Sequence, residues 1–283
     1  MAKPVCITAD STCDLSSELL QRFGIRVIPL TINLGDESFL DGEHFTPLDM
    51  YRRYRTDGVL PKTAAPSVQD FMDFFSGILD EGYEIVHLDI SAELSNTANA
   101  ARLAASEFSS GVYTVDSRML STGVGLLAIE GAERAADGMA AADIARHLIG
   151  LTGKVETSFV LDTLEFMAKG GRCSNFAALG ANLLKLKPAL EMKDGKLGVY
   201  KKYRGNIRQV YQQYIRERLG GKQIRPGHIF LTESGEVEPE VVTELEKLIR
   251  ELVPVREIHH TLAGCTVSSH CGPRTLGVLF IDE

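Results

Sequence analysis

The first half of the chain alternates between short β-favouring runs and stretches with helical spacing, and this alternation constrains the fold more than any other feature. The runs VCIT, EIVHLDI and VYTV, at 5–8, 84–90 and 112–115, are separated by helix-like segments. IRVIPLTINL at 25–34 predicts a further strand, in which Pro29 indicates an edge position or a bulge. Strands that alternate with helices across short loops indicate a mainly parallel sheet with helices on both faces.

The second half has a different pattern. Asp194-Gly195 lies between two β-like flanks and predicts a hairpin. Helical spacing covers 207–219 and 239–252, and the strand-like run LGVLFI ends at Ile281. These features predict a mixed sheet in an α+β domain. With the helical pattern broken near 150–156, we expect an α/β/α domain over 1–155 and a mixed-sheet domain over 156–283.

Composition excludes several classes of protein. With 44% hydrophobic and 24% charged residues the chain has globular composition, which excludes wholesale disorder. Lys+Arg is 30 and Asp+Glu is 38, so the net charge is 30 − 38 = −8, and no Lys/Arg-rich block occurs. We therefore expect neither binding to nucleic acid nor stable insertion into a membrane. No apolar run approaches the roughly 18 residues of a membrane-spanning helix, and MAKPVCITAD does not have the pattern of a signal peptide, so we expect a cytoplasmic protein.

The five cysteines predict neither a disulfide framework nor a metal site. Their spacing is sparse, and no CxxC occurs. Cys265 and Cys271 flank His270, but structural zinc requires four ligands at close spacing, and no second pair lies near. Buried free thiols are the expected state, with no metal and no cofactor.

A glycine pattern in the first half resembles a nucleotide-binding fingerprint. Gly123 and Gly125, with Ala128, match G-x-G-x-x-A. That fingerprint must follow its strand at once, so that the pyrophosphate meets the helix N-terminus, and here seven residues separate Val115 from Gly123. The small residues therefore predict close packing of a helix instead.

Four hydroxyl-rich loops follow predicted strands. They are DST at 10–12, TAAPS at 63–67, SAELSNT at 91–97 and DS at 116–117. The carboxyl ends of parallel strands share one edge of the sheet, where ligands bind, although any one of these hydroxyls could equally be a helix cap. In the second half, Gly-Gly-Arg172 and Arg204 could reach an oxyanion or lie in solvated turns, and a Gly-Pro turn follows His270-Cys271.

A hydrolytic triad of Ser95, His270 and Asp116 is an alternative. The residue types are present, but no G-x-S-x-G elbow precedes a helix and no oxyanion-hole pattern is evident. We therefore expect no catalytic residues in this chain. A hydrolase or transferase that acts alone on acyl or phosphoryl groups, and a lipid sensor, remain the alternative functions.

In their order, the segments resemble the DegV family of fatty-acid-binding proteins. The matching stretches are ITADSTCDL, LPKTAAPS, HLDISAELSNTANAAR, VYTVDSRMLSTGVG, SFVLDTLEFMAKGGRCS, LKLKPALEMKDGKL, KKYRGN and HCGP. GGR together with LKPALEMKDG is the most specific part. Three positions depart from the family pattern: Ala64 replaces a serine, Asn96 replaces a glycine, and Arg274 stands where a small residue is common.

The resemblance implies a two-domain fold with a long-chain fatty acid between the domains. Its carboxyl group would be held by Thr63, Ser95 and His270. Arg172 and Arg204 would lie near the entrance, where a separate fatty acid kinase binds the complex and phosphorylates the carboxylate for phospholipid synthesis. The chain itself would be a lipid-binding protein and not an enzyme.

The acyl tunnel would be lined by apolar side chains of the second domain. Plain core packing explains each of these positions equally well. The candidates are Phe166, Met167, Leu183, Leu186, Leu190, Leu276 and Leu279.

Overall fold

A computed structural model describes residues 3–171 and 186–283. The strands of these residues are β1 Val5–Asp10, β2 Arg26–Ile28, β3 Thr31–Leu34, β4 Glu37–Leu40, β5 Lys62–Ala64, β6 Glu84–Asp89, β7 Val112–Asp116, β8 Val155–Val160, β9 Leu186–Lys193, β10 Lys196–Arg204, β11 His228–Glu233, β12 Glu257–Leu262 and β13 Leu276–Ile281. The helices are α1 Ser17–Phe23, α2 Pro47–Asp57, α3 Val68–Asp80, α4 Thr97–Ser106, α5 Thr122–Ala136, α6 Ala141–Leu151, α7 Glu165–Gly170, α8 Ile207–Leu219, α9 Pro239–Leu252 and α10 Cys265–Cys271.

Four strands form the predicted parallel sheet, in the order β2-β1-β6-β7. Its central strands β1 and β6 are buried over nearly their whole length, as expected where both faces are covered. The loops after β1, β6 and β7 leave this sheet at one edge, and two of them reach the cavity described below.

The strand predicted over 25–34 is instead two strands in different sheets. The chain leaves the edge of the parallel sheet after β2 and begins a small antiparallel sheet, β4-β3-β5, with β3 at Thr31. Pro29 lies in the break, because proline has no N–H to donate to a ladder. The predicted edge position at β2 is confirmed, whereas the small sheet was not predicted.

Six strands form the mixed sheet, in the order β10-β9-β8-β13-β11-β12. Its one parallel pair is β11 with β12, and the remaining pairs are antiparallel. The hairpin predicted at Asp194-Gly195 joins β9 to β10, with φ values of 52° and 79° at the two turn residues. Positive φ at both positions is the conformation for which Asp-Gly is favoured in two-residue hairpins.

Helix α5 lies between the two sheets and joins them. It is buried from Thr122 to Ala132 and packs against β1, β6, β8, β11 and β13. A Cβ at Gly125 would lie 2.7 Å from Leu15 Cδ2 and 2.9 Å from the Cys13 carbonyl oxygen. The G-x-G-x-x-A pattern is therefore explained by close helix packing, as predicted.

One hydrophobic cluster runs through both halves of the chain. It includes Ile7 and Leu88 from the parallel sheet and Phe159 and Leu279 from the mixed sheet. The parallel sheet ends before Val155, where β8 begins the mixed sheet. We retain 1–155 and 156–283 as proposed domains that share this core.

Candidate functional site

A cavity of about 310 Å³ lies between the parallel sheet and the mixed sheet. This volume is at the lower end of the roughly 300–1,000 Å³ usual for small-molecule sites. Its walls come from the loop after β6, from β5, β8, α7, α10 and the start of β10. Residues far apart in the sequence therefore meet around one space.

The cavity wall carries all three residues that were expected to bind a carboxylate. The polar lining residues are Thr63, Ser95, Asn96, Thr266 and His270. Thr63 Oγ1 lies 3.4 Å from His270 Nε2, at the limit of hydrogen-bond distance. A hydroxyl and an imidazole thus face the same space from β5 and α10.

Ser95 has a structural role as well as a place on the cavity wall. Its Oγ lies 2.7 Å from Thr97 Oγ1 and accepts a hydrogen bond of 3.3 Å from the Thr97 N–H. This contact fixes the loop at the start of α4, since the N-cap residue Asn96 makes no side-chain cap bond. Helix capping and ligand binding are therefore both open to the Ser95 hydroxyl, which retains further acceptor capacity.

The rest of the described wall is mostly apolar. Met167 of α7 and Phe159 of β8 contribute, and so does Leu197 immediately after the hairpin turn. The other side is formed by residues that follow or precede strands of the first half, namely Leu30, Ile90, Leu94 and Leu120. One mostly apolar space with its hydroxyl, amide and imidazole groups gathered on a strand, a loop and a helix suits an amphipathic ligand.

Helix α10 is held in place by two buried carboxylates from the first half of the chain. Asp41 Oδ1 accepts a hydrogen bond of 2.7 Å from the Cys265 N–H, and Asp14 Oδ1 accepts one of 2.8 Å from the Gly264 N–H. Both satisfy N–H groups at the helix N-terminus, which have no partner within the helix. Burial raises the pKa of both Asp14 and Asp41. These contacts set the orientation in which α10 presents His270.

Gly170, the last residue of α7, packs directly against the His270 ring. A Cβ at this position would lie closer than 3.0 Å to Nδ1, 3.3 Å from Cγ and 3.4 Å from Cε1. Glycine is therefore required here for the observed position of the imidazole. This close approach gives the first glycine of the Gly-Gly-Arg sequence a physical role.

The tip of the β9–β10 hairpin contacts the loop after β6, next to the cavity. The buried Ser91 hydroxyl donates a hydrogen bond of 2.7 Å to the Gly195 carbonyl oxygen. Two exposed ion pairs flank it, Arg118 with Asp194 at 3.9 Å and Lys196 with Glu93 at 3.7 Å. The hydrogen bond joins the two halves beside the cavity, whereas exposed pairs at such distances add little.

The predicted tunnel residues have different positions in the structure. Met167 lines the cavity, and Leu279 lines a small second cavity. Leu190 packs in the central cluster, and Leu186 is half-buried at the start of β9; neither is among the described lining residues. Leu183 lies outside the described residues.

Two other predicted tunnel residues lie away from the described wall of the cavity. Leu276 lies on the opposite face of the mixed sheet, in the cluster beneath α8 and α9, because side chains alternate along β13. Phe166 lies in another cluster, where its ring is edge-on to Tyr51 at 5.6 Å and tilted against Tyr54 at 4.9 Å. Its neighbour Met167 reaches the cavity instead, since adjacent positions on a helix point in different directions.

The remaining hydroxyl-rich loops are structural. Ser67 caps α3 in a reciprocal capping box with Asp70. Ser117 Oγ accepts a hydrogen bond of 3.1 Å from the Met119 N–H. Ser11 Oγ donates to Asp41 Oδ2 and accepts from the Leu30 N–H, each at 3.0 Å.

The contacts give no support to the triad alternative. Asp116 Oδ1 accepts hydrogen bonds from the Arg118 and Ala92 N–H groups at 2.9 and 3.3 Å. Ser95 is paired with Thr97, and the imidazole of His270 faces Thr63. The three side chains of the supposed triad are thus engaged with different partners.

Arg204 is exposed at the end of β10, opposite Leu186 in the β9 register. Arg172 lies outside the described residues. Cys6, Cys13, Cys265 and Cys271 are free and buried, and burial raises the pKa of each thiol. Within the described chain, no helix is both long and apolar enough to cross a membrane.

The sequence offered little sign of several residues that shape the site. Asp41 and Asp14 gave no signal, because nothing local shows that they accept from a helix more than 220 residues away. Ser91 was included among the hydroxyl-rich loops, but its partner in the hairpin was not predictable. His270 lies in the last turn of α10, two residues before its C-cap Gly272; the sequence indicated the turn but not the helix.

Comparison with known proteins extends over nearly the whole chain. A family model described as "Uncharacterised protein, DegV family" matches residues 4–283. A DegV domain-containing protein of Clostridium perfringens is 30% identical over 285 residues, covering 98% of each chain.

Solved structures show the same architecture. A DegV family protein from Thermus thermophilus, described for its fatty acid binding, has a TM-score of 0.88 at 30% identity, covering 99% of this chain and 100% of that one. A Thermotoga maritima protein, described as revealing a fatty acid binding function, has a TM-score of 0.85 at 26% identity with coverage of 99% and 100%. The predicted α/β fold, with a parallel and a mixed sheet, is confirmed.

Proposed function

The chain belongs to the DegV family, and from that membership we propose that it binds a long-chain fatty acid in the cavity between its two sheets. The observation that carries the proposal is the mostly apolar cavity of about 310 Å³ with Thr63, Ser95 and His270 on its wall. The relatives from Thermus thermophilus and Thermotoga maritima described as fatty acid binders support it, since each shares the fold over its whole length.

The apolar wall would provide most of the binding free energy. Each methylene transferred from water to an apolar site contributes roughly 0.8 kcal/mol. A chain of about sixteen carbons would therefore gain on the order of 10 kcal/mol, before the cost of association is subtracted. That gain would be lost if a carboxylate were buried without hydrogen-bond partners.

Uncharged groups would hold the carboxylate. Thr63 and Ser95 each have a hydroxyl that can donate, and His270 presents Nε2 on the same side as Thr63 Oγ1. Hydrogen bonds to a charged group contribute about 1.5–3 kcal/mol each. Neutral donors leave the carboxylate its nucleophilic oxygen, whereas a bound Lys or Arg would neutralise it.

We further propose that the bound carboxylate is the substrate of a separate fatty acid kinase, and that this chain is not itself an enzyme. The carboxylate oxygen would attack the γ-phosphorus of ATP, and ADP would leave, giving an acyl phosphate. Half-buried Ser95 and exposed Asn96 beside the cavity support a head group within reach of a partner. Arg204 and Arg172 are the proposed contacts for phosphate or partner.

The binding proposal is tested by mass spectrometry of lipid released from the denatured protein. We expect a stoichiometric fatty acid from the wild type and clearly less from Ser95→Ala. Ser67→Ala is the matched control, because Ser67 is an exposed helix cap. Absence of fatty acid from the wild type would contradict the proposal for the cavity. Equal retention of fatty acid by Ser95→Ala and the wild type would contradict the proposal for Ser95.

The kinase proposal is tested with Arg172→Ala and Arg204→Ala. We expect both variants to keep fatty acid affinity and to slow acyl phosphate formation by an added fatty acid kinase. The control Arg250→Ala, at an exposed position on α9, should change neither the affinity nor the rate of acyl phosphate formation. Equal loss of lipid binding would refute the division between binding and presentation. Hydrolysis of an acyl ester or of ATP by the purified chain alone would instead favour an enzyme.

A further inference from the structure

A second, much smaller cavity adjoins the proposed fatty acid site. It has a volume of about 20 Å³ and lies between α10, β8, β11 and β13. Thr63, Ser95 and His270 are on the wall of the main cavity and are not among the described residues that line the small one. The small cavity therefore adjoins the main cavity through residues other than these three.

Four residues line both cavities and form the partition between them. They are Leu120, Phe159, Val267 and Cys271. Phe159 is the largest of the four and is the one on a strand of the mixed sheet. Because the partition consists of side chains on a loop, a strand and a helix, the movement or loss of one of them can join the two spaces.

The space beyond the partition is suited to an apolar tail, although polar residues occur there. Thr232 Oγ1 is hydrogen-bonded to Thr122 Oγ1 and Thr261 Oγ1 at 2.6 and 3.0 Å. Ser234 donates to the Gly272 carbonyl oxygen at 2.5 Å, and Thr275 donates to the Cys271 carbonyl oxygen at 3.0 Å. Ser121 and Glu233 also line the small cavity: the Ser121 hydroxyl donates to Asp14 Oδ2 at 2.5 Å, and Glu233 Oε2 accepts from the Gly235 N–H at 2.7 Å. Each of these polar side chains has a protein partner, so an alkyl chain entering here would leave their hydrogen bonds in place.

The strand neighbour of Phe159 is a glycine. Gly277 pairs with Phe159 across β13 and β8, and a Cβ there would lie 3.2 Å from Phe159 Cβ and 2.9 Å from the Ser158 carbonyl oxygen. Gly277 also lines the small cavity. With no side chain on Gly277, this part of the space is left to the side chains of Phe159 and Leu279, the latter with Cδ1 at 3.3 Å from the position of a Gly277 Cβ.

We propose that Phe159 limits the length of acyl chain that this protein buries, so that affinity rises with chain length only until the tail meets the Phe159 ring. This inference rests on the proposed fatty acid binding. Longer chains bind only by displacing the ring, and their further methylenes add little.

The experiment measures dissociation constants of delipidated protein for saturated fatty acids of about eight to about eighteen carbons. In the wild type we expect affinity to rise about fourfold per methylene up to the limit and then to level off. Phe159→Ala joins the two cavities, so the rise continues for several more carbons. Phe159→Leu retains part of the partition, so its affinity should level off at a chain length only slightly longer than in the wild type. This variant serves as the test if Phe159→Ala does not fold.

Phe280→Ala is the matched control. Phe280 is an equally buried phenylalanine on β13, but it belongs to the cluster on the opposite face of the mixed sheet. We expect the fatty acid affinity of Phe280→Ala to level off at the same chain length as that of the wild type. The inference is overturned if the wild-type affinity rises over the whole range of chain lengths without levelling off. It is also overturned if both Phe159 variants level off at the wild-type chain length, or if Phe280→Ala shifts that chain length as much as they do. Absence of binding at every length overturns the proposed function and this inference with it.

Discussion

Replacement of Gly170 by alanine tests whether His270 has to occupy its observed position. The new Cβ would lie closer than 3.0 Å to His270 Nδ1, a separation that real Cβ atoms essentially never show, so the ring must move by several tenths of an ångström or more. Thr63 Oγ1 and His270 Nε2 are already 3.4 Å apart, at the limit of hydrogen bonding. A displacement of that size would move the imidazole out of hydrogen-bond reach of the proposed carboxylate position.

The expected loss follows from one hydrogen bond to a charged group. Such a bond contributes about 1.5–3 kcal/mol, which is roughly a tenfold to 150-fold weaker affinity for a fatty acid. The affinity for a fatty alcohol of equal length should change much less, because its head group carries no charge. The crowding itself costs about 1–3 kcal/mol of stability.

Titration of both ligands against the wild type and Gly170→Ala separates the head group from the tail. Gly150→Ala is the control, because a Cβ at Gly150 in α6 meets no atom within 4 Å. Alanine there should leave binding unchanged and stabilise the helix by about 0.5–1 kcal/mol. The reasoning fails if Gly170→Ala binds the acid as tightly as the wild type does, or if acid and alcohol are weakened equally.

Two further predictions concern contacts outside the head-group site. Ser91→Ala removes the hydrogen bond to Gly195, worth about 1 kcal/mol, so bound fatty acid should dissociate about fivefold faster in a stopped-flow displacement assay; an unchanged rate would show that the hairpin tip does not control release. Burial and the neighbouring His228 lower the pKa of His259 from 6.5 to about 4. Between these values the unfolded chain binds more protons than the folded one, so stability rises with pH by at most about 3 kcal/mol across the window. Urea unfolding at pH 4.5 and 7 should show a smaller rise in stability for His259→Gln than for the wild type; an equal rise in both would exclude His259 as its source.

The local sequence was sufficient to predict helix ends and a hairpin turn, because these depend on the residues next to them. The predicted helices at 207–219 and 239–252 have the bounds of α8 and α9, since Asn206 caps the first and Pro239 occupies the first turn of the second. The hairpin at Asp194-Gly195 follows from the preference of that pair for positive φ. The alternation of strands and helices was sufficient for the parallel sheet.

The residues proposed to hold the head group were predicted only through the resemblance. Nothing in their local sequence distinguishes Thr63 and Ser95 from Ser67, which the structure uses as a helix cap. His270 likewise has a neighbourhood that indicates a turn. A hydroxyl that caps a helix and one that faces a cavity have the same flanking residues, because the difference is made by which other elements pack nearby.

Tertiary structure alone decided which residues meet around the ligand site. Asp41 holds a helix that begins 224 residues later, and Leu276 and Leu279 lie on opposite faces of one strand because of its register with β8 and β11. The physical reason is that sequence spacing sets local conformation and periodicity within an element. The volume and walls of a cavity depend on the packing of several elements against one another, and that packing is not encoded in any one of them.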